Sequence, residues 1–153
     1  MIPTPQSIIQ TLEVIKAEDI KAPAEIVFDS ILASLGPESE MGHKKFAMTF
    51  EAWPGGRWFR DLGNNTGHFW GHVQVIKPPG LLEICGPLPM SYPAVNHLQY
   101  RLKAEGSGTR LSLIHQAMGL IIPEHRDGMP EGWQFGMERI KQIAEGRAKE
   151  KVK

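Results

Sequence analysis

The sequence contains only one cysteine, Cys85, in 153 residues. A lone cysteine cannot form an internal disulfide, which excludes a fold held together by such bonds and gives no support to an oxidising compartment. No apolar run approaches the roughly eighteen residues that a membrane-spanning helix needs. The first ten residues, MIPTPQSIIQ, lack the basic and apolar regions of a signal peptide. These absences predict a soluble, cytoplasmic protein.

Net charge is also absent, because 17 Lys and Arg balance 17 Asp and Glu. Without a net positive field there is little to attract nucleic acid or an anionic membrane, and we expect neither as a partner. The hydrophobic fraction of 41% and the charged fraction of 22% are typical of a globular domain. The length predicts one domain over residues 1–153, with tails at about 1–6 and 147–153.

Several catalytic signatures are missing as well. The sequence has no serine-centred nucleophile elbow, no phosphate-binding glycine loop and no cluster of metal ligands. Pro54-Gly55-Gly56 does not follow the dinucleotide-binding pattern, and nothing in the sequence places a base beside Cys85. We therefore predict no cofactor, no metal and no catalytic residue, and we favour a protein that is not an enzyme.

Apolar periodicity predicts the elements at both ends of the chain. Alternation over about 7–21 predicts a strand, and the helical spacing of 22–37 predicts a helix that stops at Gly36-Pro37. Phe46, Met48 and Phe50 alternate with small or polar residues, which favours another strand. An apolar stripe from Glu131 to Lys149 predicts a long helix near the carboxy terminus.

In the middle of the chain, the sequence predicts consecutive strands separated by strong turn signals. Five further segments have strand character: RWFRDL, HFWGHVQVIK, LLEICG, VNHLQYRLKA and TRLSLIHQAM. GNNTG, PPG and EGSG predict turns between them, and PLPMSYPA predicts a loop. A strand, a helix, about six antiparallel strands and a last helix together indicate an α+β domain in which a curved sheet wraps a helix.

Five segments carry a resemblance to a known family. They are IKAPAEIVFDSI, PGGRW, GHVQVIKPPGLLEI, GSGTRLSLIHQAM and EGWQFGMERIKQI. Their order resembles the SRPBCC superfamily, and within it the AHSA-type branch, the activator of heat-shock protein 90 ATPase homologues. The resemblance covers roughly Leu12 to Gly146. It departs from the branch at DLGNNTGHFWGH, which carries Trp70 and two histidines, and at the proline-rich CGPLPMSYPAVN.

The resemblance implies a START/Bet v-like helix-grip fold. In that fold an antiparallel sheet of about seven strands curves around a long carboxy-terminal helix, and two short helices follow the first strand. A cavity lies between the sheet and the helix. Relatives bind hydrophobic or amphipathic small molecules, and some catalyse cyclisation or dehydration.

We predict a cavity lined by large apolar or aromatic side chains with histidines as polar anchors. The same side chains could equally form an ordinary core, because the apolar stripe of the last helix serves both purposes. The candidate lining residues are Met48, Phe50, Trp58, Trp70, His97, His115, Trp133 and Met137.

Two groups of histidines leave alternatives open. His68, Trp70 and His72 alternate in a strand, where His68 and His72 would be about 13 Å apart and could not share a zinc ion. The strip either faces solvent or brings Trp70 to the cavity wall. His97 and His115 are centred on residue 106 of the EGSG turn, so we expect them nearly opposite each other. His115 is either a buried, hydrogen-bonded histidine or a polar anchor in the cavity.

The segment EAWPGGRWFRD predicts different roles for its two tryptophans. Trp53 and Pro54 end one strand, and Gly55-Gly56 supply the backbone angles of the reversal. Trp58 lies in the next strand, where it can turn inward.

The leading hypothesis is binding of a hydrophobic or amphipathic small molecule. One alternative is a cyclase- or dehydratase-type enzyme that uses a cavity histidine, His97 or His115, as acid or base. The other is a co-chaperone-like interaction module whose partner would be a heat-shock ATPase, which ranks last for a free-standing domain. A homodimer that forms through a sheet edge or the tryptophan-rich hairpin is a further partner to consider.

Overall fold

A seven-stranded antiparallel sheet and two helices form most of residues 8–152, the part of the chain that this computed structural model describes. A separate two-stranded ribbon, β2–β3, follows the first helix. The elements in chain order are β1 Gln10–Ile20, α1 Ala24–Leu35, β2 Glu40–Met41, β3 Lys44–Lys45, β4 Thr49–Phe50, β5 Arg57–Gly63, β6 Thr66–Lys77, β7 Leu81–Gly86, β8 Ala94–Glu105, β9 Gly108–Gly119 and α2 Pro123–Val152.

The strand order in the sheet is β1-β9-β8-β7-β6-β5-β4. Strands that are consecutive along the chain are therefore neighbours, as expected for hairpin connections, and only β1 pairs with a distant strand. The curved sheet packs one face against α2, and α1 packs beside α2. The predicted α+β architecture of a curved antiparallel sheet with a long carboxy-terminal helix is thereby confirmed.

The core lies between the inner face of the sheet and the two helices. β7, β8 and β9 contribute alternating residues, because every second side chain of a strand faces the same way. Each fully buried aliphatic side chain stabilises the fold by about 1.5–3 kcal/mol. Core residues with almost no exposed surface include Val27, Ile31, Leu82, Ile84, Leu98, Leu111, Leu113, Met137 and Ile140.

The resemblance implied two short helices after the first strand, but the described chain has only one there, α1. After Leu35 the chain turns and forms the β2–β3 ribbon. Phe46 and Met48, predicted to lie in one strand with Phe50, instead donate their backbone N–H groups to Ser39 and Gly36. These bonds tie residues 46–48 to the end of α1, so the strand β4 begins only at Thr49.

Helix α2 is longer than predicted at both ends. It begins at Pro123 rather than Glu131, and it continues to Val152 through most of the segment predicted as a carboxy-terminal tail. Pro130 lies inside the helix, where it lacks the N–H that an ordinary residue would donate. The predicted amino-terminal tail, 1–6, and the predicted first strand residue, Ser7, lie outside the described residues. None of the described helices is apolar enough over a sufficient length to cross a bilayer.

The Pro54-Gly55-Gly56 corner depends on both glycines for different reasons. Gly55 adopts a φ of 81°, which favours glycine, and a side chain at Gly56 would collide with the Glu51 carbonyl. Trp53 is 57% exposed, whereas Trp58 is 3% exposed and faces inward, as predicted.

An ion pair joins the two ends of this corner. The Glu51 carboxylate accepts hydrogen bonds from the backbone N–H, Nε and Nη2 of Arg57 at 2.8–2.9 Å. These bonds lower the pKa of Glu51 to about 2.

Candidate ligand-binding cavity

A cavity of about 630 Å³ opens between the inner face of the sheet and α2. The sheet contributes side chains from β5, β6 and β8, and α2 contributes side chains from Glu124 to Ile140. The end of α1 and the β2–β3 ribbon complete the mouth. Six large aromatic side chains dominate the lining: Phe46, Trp58, Trp70, Tyr100, Trp133 and Phe135.

Three aromatic rings form one continuous wall. The rings of Trp58 and Trp70 meet edge to face at 5.0 Å, and Phe46 packs on Trp70 at 6.0 Å. The Trp58 Nε1–H donates to the Leu35 carbonyl at 2.7 Å, which satisfies one of the free carbonyls at the end of α1. The polar part of Trp58 is thus used in the fold, and its ring remains available to the cavity.

A β-bulge in β6 turns Trp70 inward. Phe69 pairs with Phe59 and Gly71 pairs with Trp58, so Trp70 is an extra residue without a partner opposite. Its carbonyl accepts from the Leu88 N–H at 2.9 Å.

Because of the bulge, the β6 histidines also point in directions that differ from the predicted ones. The prediction that His68, Trp70 and His72 share one face was wrong, because the bulge interrupts the alternation. His72 is exposed on the outer face, with its Nδ1 3.0 Å from the Gly55 carbonyl oxygen. His68 is also exposed.

Trp133, which lines the cavity, begins a relay of three hydrogen-bonded side chains, Trp133–His115–Asn96, and the last two of them are buried behind the cavity wall. Trp133 Nε1–H donates to His115 Nδ1 at 2.8 Å, and His115 Nε2 lies 2.7 Å from Asn96 Oδ1. Because the indole can only donate, Nδ1 must be the acceptor and Nε2 carries the proton. The Asn96 amide donates in turn to the Gly86 and Pro87 carbonyls. Burial lowers the pKa of His115 to about 4, so the imidazole is neutral at neutral pH.

His97 lies on the opposite face of the sheet from His115. The prediction that they stand opposite each other was wrong by one residue, since His97 pairs with Gln116 and Leu98 pairs with His115. The hairpin closes on the pair Glu105–Gly108, so its centre lies between Gly106 and Ser107. A shift of one residue moves a side chain to the other face.

On the outer face, His97 belongs to a small polar cluster. Its Nε2 lies 3.2 Å from Glu83 Oε1, and Gln99 donates to Glu83 Oε2 at 2.8 Å. Burial tends to raise the pKa of Glu83, but the hydrogen bonds from Gln99 and His97 outweigh it and lower that pKa. Cys85 pairs with His97 on the neighbouring strand, away from the cavity.

The structure brings together only some of the predicted lining residues. Trp58, Trp70 and Trp133 line the cavity, and His115 lies directly behind Trp133. Met48 and Met137 are buried in the core cluster, and Phe50 packs against it with its ring 6.4 Å from that of Trp58. None of these last three, nor His97, is among the lining residues.

Sequence reasoning missed several lining residues, chiefly Tyr100, His43, His125 and Arg139. Tyr100 alternates with the buried Leu98 in β8, and that alternation could have identified it as inward-facing. His125 was missed because the start of α2 was placed after Pro130.

Polar side chains surround the mouth of the cavity. The Tyr92 hydroxyl lies 2.7 Å from His125 Nδ1, and burial raises the pKa of Tyr92 and lowers that of His125. On the other side, Arg139 pairs with Glu40 at 3.2 Å and holds the β2–β3 ribbon against α2. His43 in the ribbon turn packs its ring edge-on to Phe135 at 4.6 Å.

Solved structures share this architecture at low sequence identity. Protein Mll3558 of Rhizobium loti aligns with a TM-score of 0.69 at 18% identity, over 89% of this chain and 99% of its own. CalU16 of Micromonospora echinospora aligns with a TM-score of 0.59 at 17% identity, over 90% of this chain and 87% of its own. DynU16, from the dynemicin biosynthetic locus, aligns with a TM-score of 0.63 at 13% identity, over 87% of this chain and 47% of its own.

No protein-family model and no curated protein sequence matches this chain. At identities below one fifth, the structural likeness establishes the fold, a curved antiparallel sheet with a carboxy-terminal helix.

Proposed function

We propose that the protein binds a hydrophobic or amphipathic small molecule in the cavity between the sheet and α2. The observation that carries the proposal is a cavity of about 630 Å³ whose walls are largely apolar and include six large aromatic side chains. Small-molecule sites typically have volumes of about 300–1,000 Å³, apolar walls and a few polar groups that orient the ligand. His43, His125 and Arg139 at the mouth provide such groups here.

The order of sequence motifs and the fold together support membership of the SRPBCC superfamily, and the motifs favour its AHSA-type branch. DynU16, a protein of similar fold, is described as lying in the dynemicin biosynthetic locus, which is consistent with a role with small molecules. A co-chaperone-like role stays a prediction from the resemblance alone.

The geometry does not favour a cyclase- or dehydratase-type enzyme that uses His97 or His115 as acid or base. His115 is completely buried and both of its ring nitrogens are engaged, so it has no free position to exchange a proton with a ligand. His97 faces the outside of the sheet, beside Glu83. Neither histidine lines the cavity.

Thermal unfolding with a panel of hydrophobic compounds tests the binding proposal. A compound present at about one hundred times its Kd stabilises the folded state by about 2.7 kcal/mol. For a chain of this length we expect a rise in Tm of roughly 5–10 °C. The panel should include a fatty acid, a sterol and a hydroxyanthraquinone.

Two tryptophan variants give this experiment a matched control. Trp70→Ala removes part of the cavity wall and should weaken binding about tenfold, the equivalent of one lost aromatic contact. Trp53→Ala removes an exposed tryptophan outside the cavity and should leave Kd unchanged. Binding by no member of the panel, or equal weakening in both variants, would contradict the proposal.

A further inference from the structure

Three glycines of α2 form one edge of the cavity. Gly128, Gly132 and Gly136 are spaced four residues apart, which places them on one face of the helix. All three are among the cavity-lining residues. We call this set the glycine ridge; it is about 12 Å long at the rise of an α-helix.

Nothing in the described structure requires these positions to be glycine. A Cβ atom added at Gly128 or Gly132 would meet no atom within 4 Å, and one at Gly136 would meet only the Trp133 ring at 4.0 Å. Glycine inside a helix is less stable than alanine, so each position costs stability without relieving a clash. Open space beside a bare helix backbone is what a closely packed ligand would need.

An independent observation points to the same cavity. Tyr100 lines it from β8 and is only 2% exposed. Its hydroxyl makes no hydrogen bond to any residue within 8–152, and burial raises its pKa, so it remains a protonated donor. The hydroxyl oxygen is not among the fully buried polar atoms without a partner in the described chain, so it keeps accessible surface at the cavity, where a ligand oxygen could accept its hydrogen bond.

The walls around the ridge favour a flat ligand. Trp58, Trp70 and Phe46 form an aromatic wall of the same cavity, and aromatic rings pack preferentially against other rings in stacked or edge-to-face geometry. Glycine allows the backbone to approach a ligand closely, because no side chain stands between them. A flat ring system can contact both the aromatic wall and the bare helix backbone.

We infer that the cavity takes a planar ligand of several fused aromatic rings, which lies along the glycine ridge and accepts a hydrogen bond from Tyr100. The accepting group is a carbonyl or hydroxyl oxygen at the edge of the ring system. This inference rests on the proposed function, since it specifies the class of ligand for the same cavity.

Alanine substitutions in α2 separate a ligand-contact role from a purely structural one. Gly132→Ala should raise Tm by about 2–4 °C, because alanine is the better helix former and meets no neighbour. The same variant should weaken binding of 1-hydroxyanthraquinone by about tenfold or more. Gly146→Ala is the matched control, because it lies in the same helix, also has open space, and is not part of the cavity lining. It should raise Tm similarly and leave the Kd unchanged.

Lauric acid serves as the flexible comparison compound, and Tyr100→Phe tests the hydrogen bond. Tyr100→Phe should weaken binding of 1-hydroxyanthraquinone about tenfold while changing the Kd for lauric acid less than about twofold. If lauric acid binds more tightly than 1-hydroxyanthraquinone, or if Gly132→Ala and Gly146→Ala behave alike, the inference fails and the proposed function stands. If no hydrophobic compound binds, both fail.

Discussion

Replacing Trp58 by alanine is expected to lower the free energy of unfolding by about 3–5 kcal/mol, the usual cost of removing a buried large aromatic side chain. Trp58 is 3% exposed and belongs to the main core cluster. The substitution also removes the 2.7 Å hydrogen bond to the Leu35 carbonyl and the ring contact with Trp70. The measurement is equilibrium unfolding in urea at neutral pH and 25 °C.

Two companion variants divide this effect into its causes. Trp58→Phe keeps most of the buried ring but leaves the Leu35 carbonyl without its donor, for which we expect a loss of about 1–3 kcal/mol. Trp53→Ala, five residues earlier and 57% exposed, should change stability by no more than about 0.5 kcal/mol. A similar loss in Trp53→Ala and Trp58→Ala would contradict the assignment of the second tryptophan, and not the first, to the core.

Lowering the pH from 7 to 4 is expected to remove about 3 kcal/mol of stability through His115 alone. Burial holds the pKa of this histidine at about 4 in the folded protein, whereas its ordinary value is 6.5. The unfolded chain therefore binds a proton on His115 between pH 6.5 and 4 while the folded protein does not, which favours unfolding as the pH falls. Above pH 6.5 the contribution is fully present, and below about pH 4 it is lost.

In addition to burial, the hydrogen bond from Trp133 opposes protonation of His115. A proton at Nδ1 would put two donors, the imidazolium and the Trp133 indole, against each other. His115→Gln replaces the imidazole with a side chain that can still accept and donate but does not titrate. Its stability should fall less between pH 7 and 4 than that of the parent protein, by about 3 kcal/mol.

His97→Gln is the control for the same measurement, because His97 lies on the outer face and its side chain is 36% exposed. It should retain the His115-dependent part of the pH response. Identical pH profiles for the parent protein and His115→Gln would show that His115 is not held neutral.

Strand positions were predictable from the sequence because their signals are local. Alternation in segments such as LLEICG and TRLSLIHQAM, and the turn residues between them, lie within a few residues of each other and correspond to β7 and β9. The order of these elements also implied the antiparallel sheet, since short connections force adjacent strands to pair.

Register and side-chain direction depended on details that periodicity does not resolve. The EGSG segment predicts a hairpin, but whether its centre lies at Gly106 or after it decides whether His97 shares a face with His115. The extra residue at Trp70 could not be read from the alternation, because a bulge depends on the pairing with β5. The cavity lining was harder still, since Gly128, Pro130 and Gly132 resemble a helix break and hid the first turns of α2.

The pairing of β1 with β9 joins residues as far apart as Gln10 and Gly119. Closing so large a loop costs conformational entropy. The contacts between β1 and β9 that offset this cost can form only once β9 is in place. We expect β1 to join the sheet last during folding, so that β9 is transiently an unpaired edge on which another chain could add. Pulse-labelled hydrogen exchange should then show amide protection in β8 and β9 before β1, and simultaneous protection of all three would contradict this order.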